Sequence, residues 1–116
     1  MYALNFKERD EETVTLAGST KTTVRWLIGR NTGAKTYAMR HFEVQPGGMI
    51  PLHTHPEEHQ IFILQGEAKM FGTDTNQVVK KDDVVFIPSK EEHGYDNREG
   101  TEPFRFICVI PLIEKD

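Results

Sequence analysis

The chain has 116 residues and a mass of 13.3 kDa, a length that fits one domain around a single core. The net charge is −4 and the basic residues are dispersed, so binding to nucleic acid through its phosphates is not expected. No apolar run approaches the roughly 18 residues that would span a bilayer, so no membrane association is expected. The N-terminus is charged where a signal peptide would be apolar, and the one cysteine, Cys108, excludes an internal disulfide. Both features predict a reducing, cytoplasmic location.

Residues that favour strands dominate the composition. Val, Ile and Thr together number 27, against five Ala and six Leu. The helical candidate is one short turn within residues 5–12, and residues 1 to about 20 form a polar N-terminal arm or an edge strand. Gly, Pro, Asp or Asn separates the predicted strands, which cover residues 22–28, 35–44, 59–64, 67–71, 77–80, 84–87 and 104–111. Many short strands predict a sandwich or a small barrel formed by a single domain over residues 1–116.

Three of the five histidines lie close together in the sequence, as His53, His55 and His59. On an extended chain His53 and His55 point the same way, because side chains alternate between the faces of a strand. His59 begins an apolar strand and shares the face of Ile61 and Ile63, so the three imidazoles can converge inside a barrel. Burying neutral imidazoles without partners would cost a few kcal/mol each, and a metal ion is the simplest partner for all three.

Two longer patterns carry a resemblance to a known family. The stretch Gly47-x5-His53-x-His55-x3-His59-x6-Gly66 resembles the first motif of the cupin superfamily, and the stretch Asp82-x5-Pro88-x-Lys90-x2-His93-x3-Asn97 resembles the second. The resemblance is to the small single-domain cupins with four histidines. It implies an all-β, double-stranded β-helix (jelly-roll) barrel, with the motifs of residues 47–66 and 82–97 on facing strands.

The same resemblance implies a metal site. The implied ligands are His53, His55, His59 and His93, which would hold one divalent transition metal per chain. Manganese is the first expectation, and iron, nickel, zinc or copper are alternatives because the site is built of nitrogen donors. Most metal-binding cupins have glutamate at the position of His59. Asp82 and Lys90 stand where the family often has glycine, which leaves the shape of those turns open.

Four imidazole ligands would leave the full 2+ charge on the ion, so the site is expected to attract a small anionic ligand or substrate. Four ligands on an octahedral ion would leave two open positions, which suits a chelating substrate better than a closed structural site. Arg40 and His41 are neighbours on one predicted strand, so only one of them can face the interior. His41 is expected to be exposed. Further candidates for the lining of the pocket are Arg40, Tyr95, Phe104, Phe106 and Cys108.

These features predict a metal-dependent oxidoreductase of the oxygenase or dioxygenase type that acts on a small organic anion. The alternatives are a non-redox isomerase, decarboxylase or lyase acting on a sugar or an acid, and a non-catalytic module that binds a small molecule. Phe62, Leu64 and Trp26 lie on faces that a small barrel cannot cover, which predicts a homodimer with two-fold symmetry.

Overall fold

The structure is a computed structural model that describes residues 1–113. Among these residues no helix is long and apolar enough to cross a membrane. Two short 3₁₀-helices, Phe6–Glu8 and Arg30–Thr32, accompany the strands, and the first agrees with the predicted turn. The strands are β1 (Glu12–Thr13), β2 (Thr20–Ile28), β3 (Tyr37–His53), β4 (His59–Gln65), β5 (Glu67–Phe71), β6 (Asn76–Lys80), β7 (Val84–Ile87), β8 (His93–Asp96) and β9 (Phe104–Pro111).

The strands form one curled antiparallel sheet in the order β6-β5-β8-β3-β9-β4-β7, and β2 joins it through β3. The long strand β3 is the centre of this arrangement. Its residues 37–44 pair with β9, whereas its residues 49–53 pair with β8. Because β3 changes partner along its length, the sheet curls into the half-barrel of a jelly roll, which confirms the predicted fold class.

The prediction that the second strand ends at residue 44 is wrong, because β3 continues to His53. Gly47 adopts a left-handed backbone with φ of 89°, and the chain bends there without leaving the sheet. The Gly47 N–H donates to the Asn97 carbonyl and the Asn97 N–H donates to the Gly48 carbonyl, both at 3.0 Å. These two bonds join the bend in β3 to Asn97, the residue that follows β8. Strand β8 itself was not predicted, because its four residues offer no apolar alternation and depend on pairing with β3 and β5.

The core follows the alternation of the last strand. Residues of β9 are buried at every second position, and the side chains of Phe104, Phe106 and Cys108 are completely buried. Phe106 stacks on Phe42 with ring centroids 5.1 Å apart and lies 5.0 Å from the ring of Tyr95. Aromatic side chains therefore form part of the barrel core, together with aliphatic residues such as Val44 and Ile63.

Candidate metal centre

The four predicted ligands come from three strands and one loop. His53 ends β3, His59 begins β4, His93 begins β8, and His55 lies in the loop between β3 and β4. His53 and His93 are partners across the β3–β8 ladder, and their ring centroids are 4.3 Å apart. The rings of His55 and His59 are 4.5 Å apart. The other centroid distances between these rings include 5.0 Å for His59–His93 and 5.1 Å for His55–His93, so the fold brings all four imidazoles together.

Hydrogen bonds hold the two motif loops against each other. The hydroxyl of Thr54 donates to the carbonyl of Lys90 at 2.7 Å, and the N–H of Lys90 donates to the carbonyl of His55 at 2.9 Å. The hydroxyl of Ser89 donates to the carbonyl of Pro56 at 2.5 Å. Lys90 has a φ of 69°, so it adopts the left-handed turn that glycine often provides in cupins. Asp82 also has a left-handed backbone, with a φ of 75°. Both residues that replace the glycines common in cupins therefore adopt the conformation that glycine favours.

The Nδ1 atoms of three histidines are engaged by nearby backbone. Nδ1 of His53 lies 2.7 Å from the Pro51 carbonyl. The corresponding distances are 2.9 Å from His55 to the Glu57 carbonyl and 2.9 Å from His93 to the Glu91 carbonyl. A carbonyl only accepts hydrogen bonds, so each of these Nδ1 atoms carries the proton and each Nε2 carries a lone pair.

The free Nε2 atoms converge. One ligand nitrogen from each of His53, His55 and His93 can be chosen so that all three lie within 4.8 Å of one another. Nε2 of His93 is buried and has no hydrogen-bond partner among the described residues. Nε2 of His59 lies 2.6 Å from Nε2 of His55. Several imidazole nitrogens so close together form a donor set typical of a divalent metal site, so these residues fit a divalent metal ion.

The pKa values point in the same direction. Burial lowers the pKa of His93 to about 4, and burial together with the charge of Arg40 lowers that of His59 to about 2. Burial also lowers the pKa of His53. The rings of His53, His59 and His93 are therefore neutral at neutral pH, and the neutral imidazole is the form that binds a metal ion.

Arg40, and not His41, faces the barrel interior. Its Nη2 lies 3.4 Å from the sulfur of Cys108, and its guanidinium carbon lies 4.8 Å from the ring of Phe42 and 5.2 Å from that of Trp26. Its Nε is buried and has no hydrogen-bond partner in the described part of the chain. Among residues 1–113 no carboxylate lies within 4.0 Å of this guanidinium. The positive charge beside the histidines is therefore available to an anion.

The other predicted lining residues lie in the same part of the core. Tyr95 is buried, with its ring 5.8 Å from that of His93, and burial raises the pKa of its hydroxyl, which stays protonated. Phe106 contacts Tyr95, and Phe104 lies behind Phe106 at 5.4 Å. Cys108 contacts both Arg40 and His59. Tyr95, Phe106 and Phe104 form an aromatic row. A direct contact between any of them and a bound small molecule stays a prediction.

The expected exposure of His41 is wrong. Only 4 % of His41 is exposed, although it lies on the outer face of β3. Phe6, in the first 3₁₀-helix, packs on its ring at 4.8 Å, and Nε of Arg105 donates to Nε2 of His41 at 3.2 Å. The N-terminal arm thus covers a strand face that a barrel alone would leave open. Burial, Arg105 and Arg25 lower the pKa of His41 to about 4.

We expect His41 to make the protein less stable as the pH falls. The unfolded chain takes up a proton near pH 6.5, whereas folded His41 does so only near pH 4. Between these values the unfolded state binds more protons, so the free energy of unfolding falls by up to about 1.4 kcal/mol per pH unit for this residue. Urea unfolding in the presence of a chelator, from pH 7 to pH 4, should show a smaller loss for His41→Gln than for the original chain. Equal losses in both proteins would contradict the assignment.

A separate cleft of about 810 Å³ lies away from the histidines. Its walls include Lys69, Lys80 and Arg105 together with acidic residues such as Glu67 and Glu102. None of the four clustered histidines lines it. The cleft has mixed charge and no convergent donor set, so the histidine cluster is the better candidate for the functional site.

Comparison with protein families agrees with this architecture. A family model described as "Cupin domain" matches residues 40–110, which include all four clustered histidines. The chain belongs to the cupin family.

Two relatives have similar sequences. The 1-methylthio-D-xylulose 5-phosphate methylsulfurylase of Rhodospirillum rubrum is 31% identical over 75 residues, which cover 65% of this chain and 47% of that protein. A germin-like protein of Arabidopsis thaliana, subfamily 2 member 4, is 32% identical over 93 residues, which cover 75% of this chain and 41% of that protein. The chain therefore spans less than half the length of these two relatives.

Solved structures share the fold. The polyketide cyclase RemF from Streptomyces resistomycificus superposes with a TM-score of 0.89 and 32% identity, over 96% of this chain and 79% of that chain. A predicted oxalate decarboxylase from Thermotoga maritima superposes with a TM-score of 0.83 and 24% identity, over 97% of this chain and all of that chain. The second likeness shows the fold alone.

Proposed function

We propose that the protein is a metal-dependent enzyme that acts on a small organic anion with an enolisable carbonyl group. The observation that carries this proposal is the buried Nε2 of His93, which lies in the histidine cluster and has no hydrogen-bond partner among residues 1–113. Leaving such a nitrogen unpaired costs about 1–3 kcal/mol, a cost that a bound ion removes. A bound divalent ion would supply Lewis-acid polarisation of a carbonyl oxygen.

The charges of the site support an anionic substrate. Four neutral imidazoles leave the charge of a divalent ion uncompensated, and Arg40 adds a further positive charge without a carboxylate partner among residues 1–113. In the proposed role, Arg40 binds the anionic group of the substrate. The aromatic row beside it, with the protonated hydroxyl of Tyr95, keeps water out of the site.

Two reaction classes remain for this site. The oxygenase or dioxygenase reaction predicted from the sequence needs O₂, whereas a non-redox isomerisation, cyclisation or decarboxylation needs polarisation of the carbonyl alone. The likeness to the polyketide cyclase RemF, at 32% identity over nearly the whole chain, favours the non-redox class. We therefore propose non-redox carbonyl chemistry first and oxygenation as the second candidate. The sequence also predicts manganese as the ion and the cytoplasm as the location, and we keep both as proposals.

The experiment combines metal analysis with a carbonyl assay. Purified protein should carry close to one divalent transition metal per chain by elemental analysis. In anaerobic D₂O, metal-loaded protein should then exchange the protons next to the carbonyl of one or more small 2-oxo or 3-oxo acids for deuterium. NMR monitors the exchange, and a solution with the same metal concentration and no protein is the control.

The outcomes separate the candidates. Exchange without O₂ supports the non-redox proposal, whereas substrate loss only with O₂ uptake replaces it with the oxygenase. Metal and acid binding without any reaction would make the protein a binding module. Protein that holds no metal and binds none of Mn²⁺, Fe²⁺, Ni²⁺ or Zn²⁺ would overturn the metal site itself.

We also propose that the protein is a homodimer that pairs through the edge strand β7. Val84 and Phe86 on β7 are 75% and 58% exposed, and Phe62 lies opposite Val84 on the neighbouring strand β4. These three apolar side chains lie beside a strand edge that pairs with no further strand within residues 1–113, and they form a patch that a second copy would cover. Light scattering should give twice the 13.3 kDa of one chain. Phe86→Glu should give a folded monomer, and a monomeric original protein would contradict the proposal.

A further inference from the structure

The four clustered histidines are not supported in the same way. The Nδ1 atoms of His53, His55 and His93 each contact a carbonyl two residues away along the chain. Nδ1 of His59 instead contacts a side chain, the sulfur of Cys108, at 2.6 Å and across 49 residues of sequence. His59 is therefore the one ligand candidate whose orientation depends on another strand's side chain.

The position of His59 in the sheet accounts for this difference. His59 begins β4, which pairs with β7 on one side and with β9 on the other. The His59 backbone pairs with Ile87 of β7, and the next residue, Gln60, pairs with Val109 of β9. Cys108 is on β9, opposite Ile61, with its side chain on the interior face that His59 also occupies. The sulfur is thus the interior atom that β9 places beside this ring.

From these contacts we infer that Cys108 is a positioning residue that holds the His59 ring with its Nε2 directed into the histidine cluster. This inference rests on the proposed metal site. Independent support comes from His93, which is 5% exposed and whose unpartnered Nε2 is aimed into the same cluster. Partners that hold a ligand histidine from outside the ligand set typically change metal affinity about 10- to 100-fold when they are removed.

Cys108 also joins His59 to the charged end of the site. Nη2 of Arg40 donates to the same sulfur at 3.4 Å. The sulfur therefore accepts from the guanidinium on one side and contacts the imidazole on the other, in a fully buried position. The sulfur of Cys108 thereby orients both His59, a proposed metal ligand, and Arg40, which is proposed to bind the anionic group of the substrate.

The test compares two substitutions that shrink the side chain by nearly the same volume. Cys108→Ser keeps an acceptor beside His59, and Cys108→Ala removes it. We expect the Zn²⁺ affinity of Cys108→Ala to fall about tenfold or more and that of Cys108→Ser to stay within about threefold of the original protein. Equal losses in the two variants, or no loss in either, would overturn the inference.

A spectroscopic measurement separates positioning from packing. In the Zn²⁺-loaded protein, ¹H–¹⁵N correlation spectra of the imidazoles should show a hydrogen-bonded Nδ1–H for His59 in the original protein and in Cys108→Ser. In Cys108→Ala this signal should move upfield or exchange away, while the Nδ1–H signals of His53, His55 and His93 stay in place as internal controls. A His59 signal that does not change would refute the role of Cys108. An original protein that binds no Zn²⁺ would refute the metal site, and the inference with it.

Discussion

Replacing His93 with Ala is expected to lower the affinity for a divalent metal by roughly 100-fold or more, because it removes a donor and not merely a supporting contact. His93 is buried, and no described residue hydrogen-bonds to its Nε2, so no such hydrogen bond competes with a metal ion for this nitrogen. The same substitution at His53 or His55, whose Nδ1 atoms are likewise engaged by carbonyls, should have an effect of similar size. Elemental analysis of the purified variants and titration with Zn²⁺ or Co²⁺ provide the measurement.

His41→Ala is the matched control for this experiment. His41 is also a buried histidine with a lowered pKa, but it lies under Phe6 on the outer face of the barrel. Its loss should reduce stability and leave the metal content unchanged. A loss of metal from His41→Ala as large as that from His93→Ala would show that the wrong histidines have been assigned to the site.

His59→Glu is expected to keep the metal and to bind anions more weakly. Glutamate is the ligand that most cupins have at this position, and its carboxylate lowers the net charge of the site by one unit. One charge at a few ångströms, with an effective dielectric constant near 20, is worth on the order of a few kcal/mol. The affinity for a dicarboxylate such as oxalate should therefore fall by about tenfold or more, while harder ions such as Mn²⁺ and Fe²⁺ are favoured over Zn²⁺. Oxalate titration of each metal-loaded form measures the effect.

His59→Ala provides the comparison, since it removes a donor without adding a charge. It should lose metal affinity relative to both the original chain and His59→Glu. Two results together would exclude His59 from the ligand set: oxalate affinity unchanged in His59→Glu, and full metal occupancy in His59→Ala. The site would then consist of His53, His55 and His93, the three residues whose ligand nitrogens lie within 4.8 Å of one another.

Much of the barrel could be predicted because its signals are local. The alternation of apolar residues marked β9 over its full length, and the spacing of His53, His55 and His59 placed three imidazoles near one strand turn. The turn residues agreed as well, since Gly66 occupies a left-handed position with φ of 85°. Such patterns depend on residues that are only a few positions apart, so they can be recognised from the sequence alone.

The contacts that complete the site could not be predicted in this way. Alternation on β3 requires that Arg40 and His41 face opposite sides, but which of them faces the interior depends on how β3 pairs with β9. Burial of His41 depends on Phe6, which lies 35 positions earlier in the chain. The contact between His59 and Cys108 exists because β4 and β9 are neighbours in the sheet. The sequence by itself determined most of the strands, the family and the candidate ligands, because each follows from local residue patterns and spacing. Only the tertiary structure decided the partners of those ligands, because strand pairing sets which distant side chains share the interior.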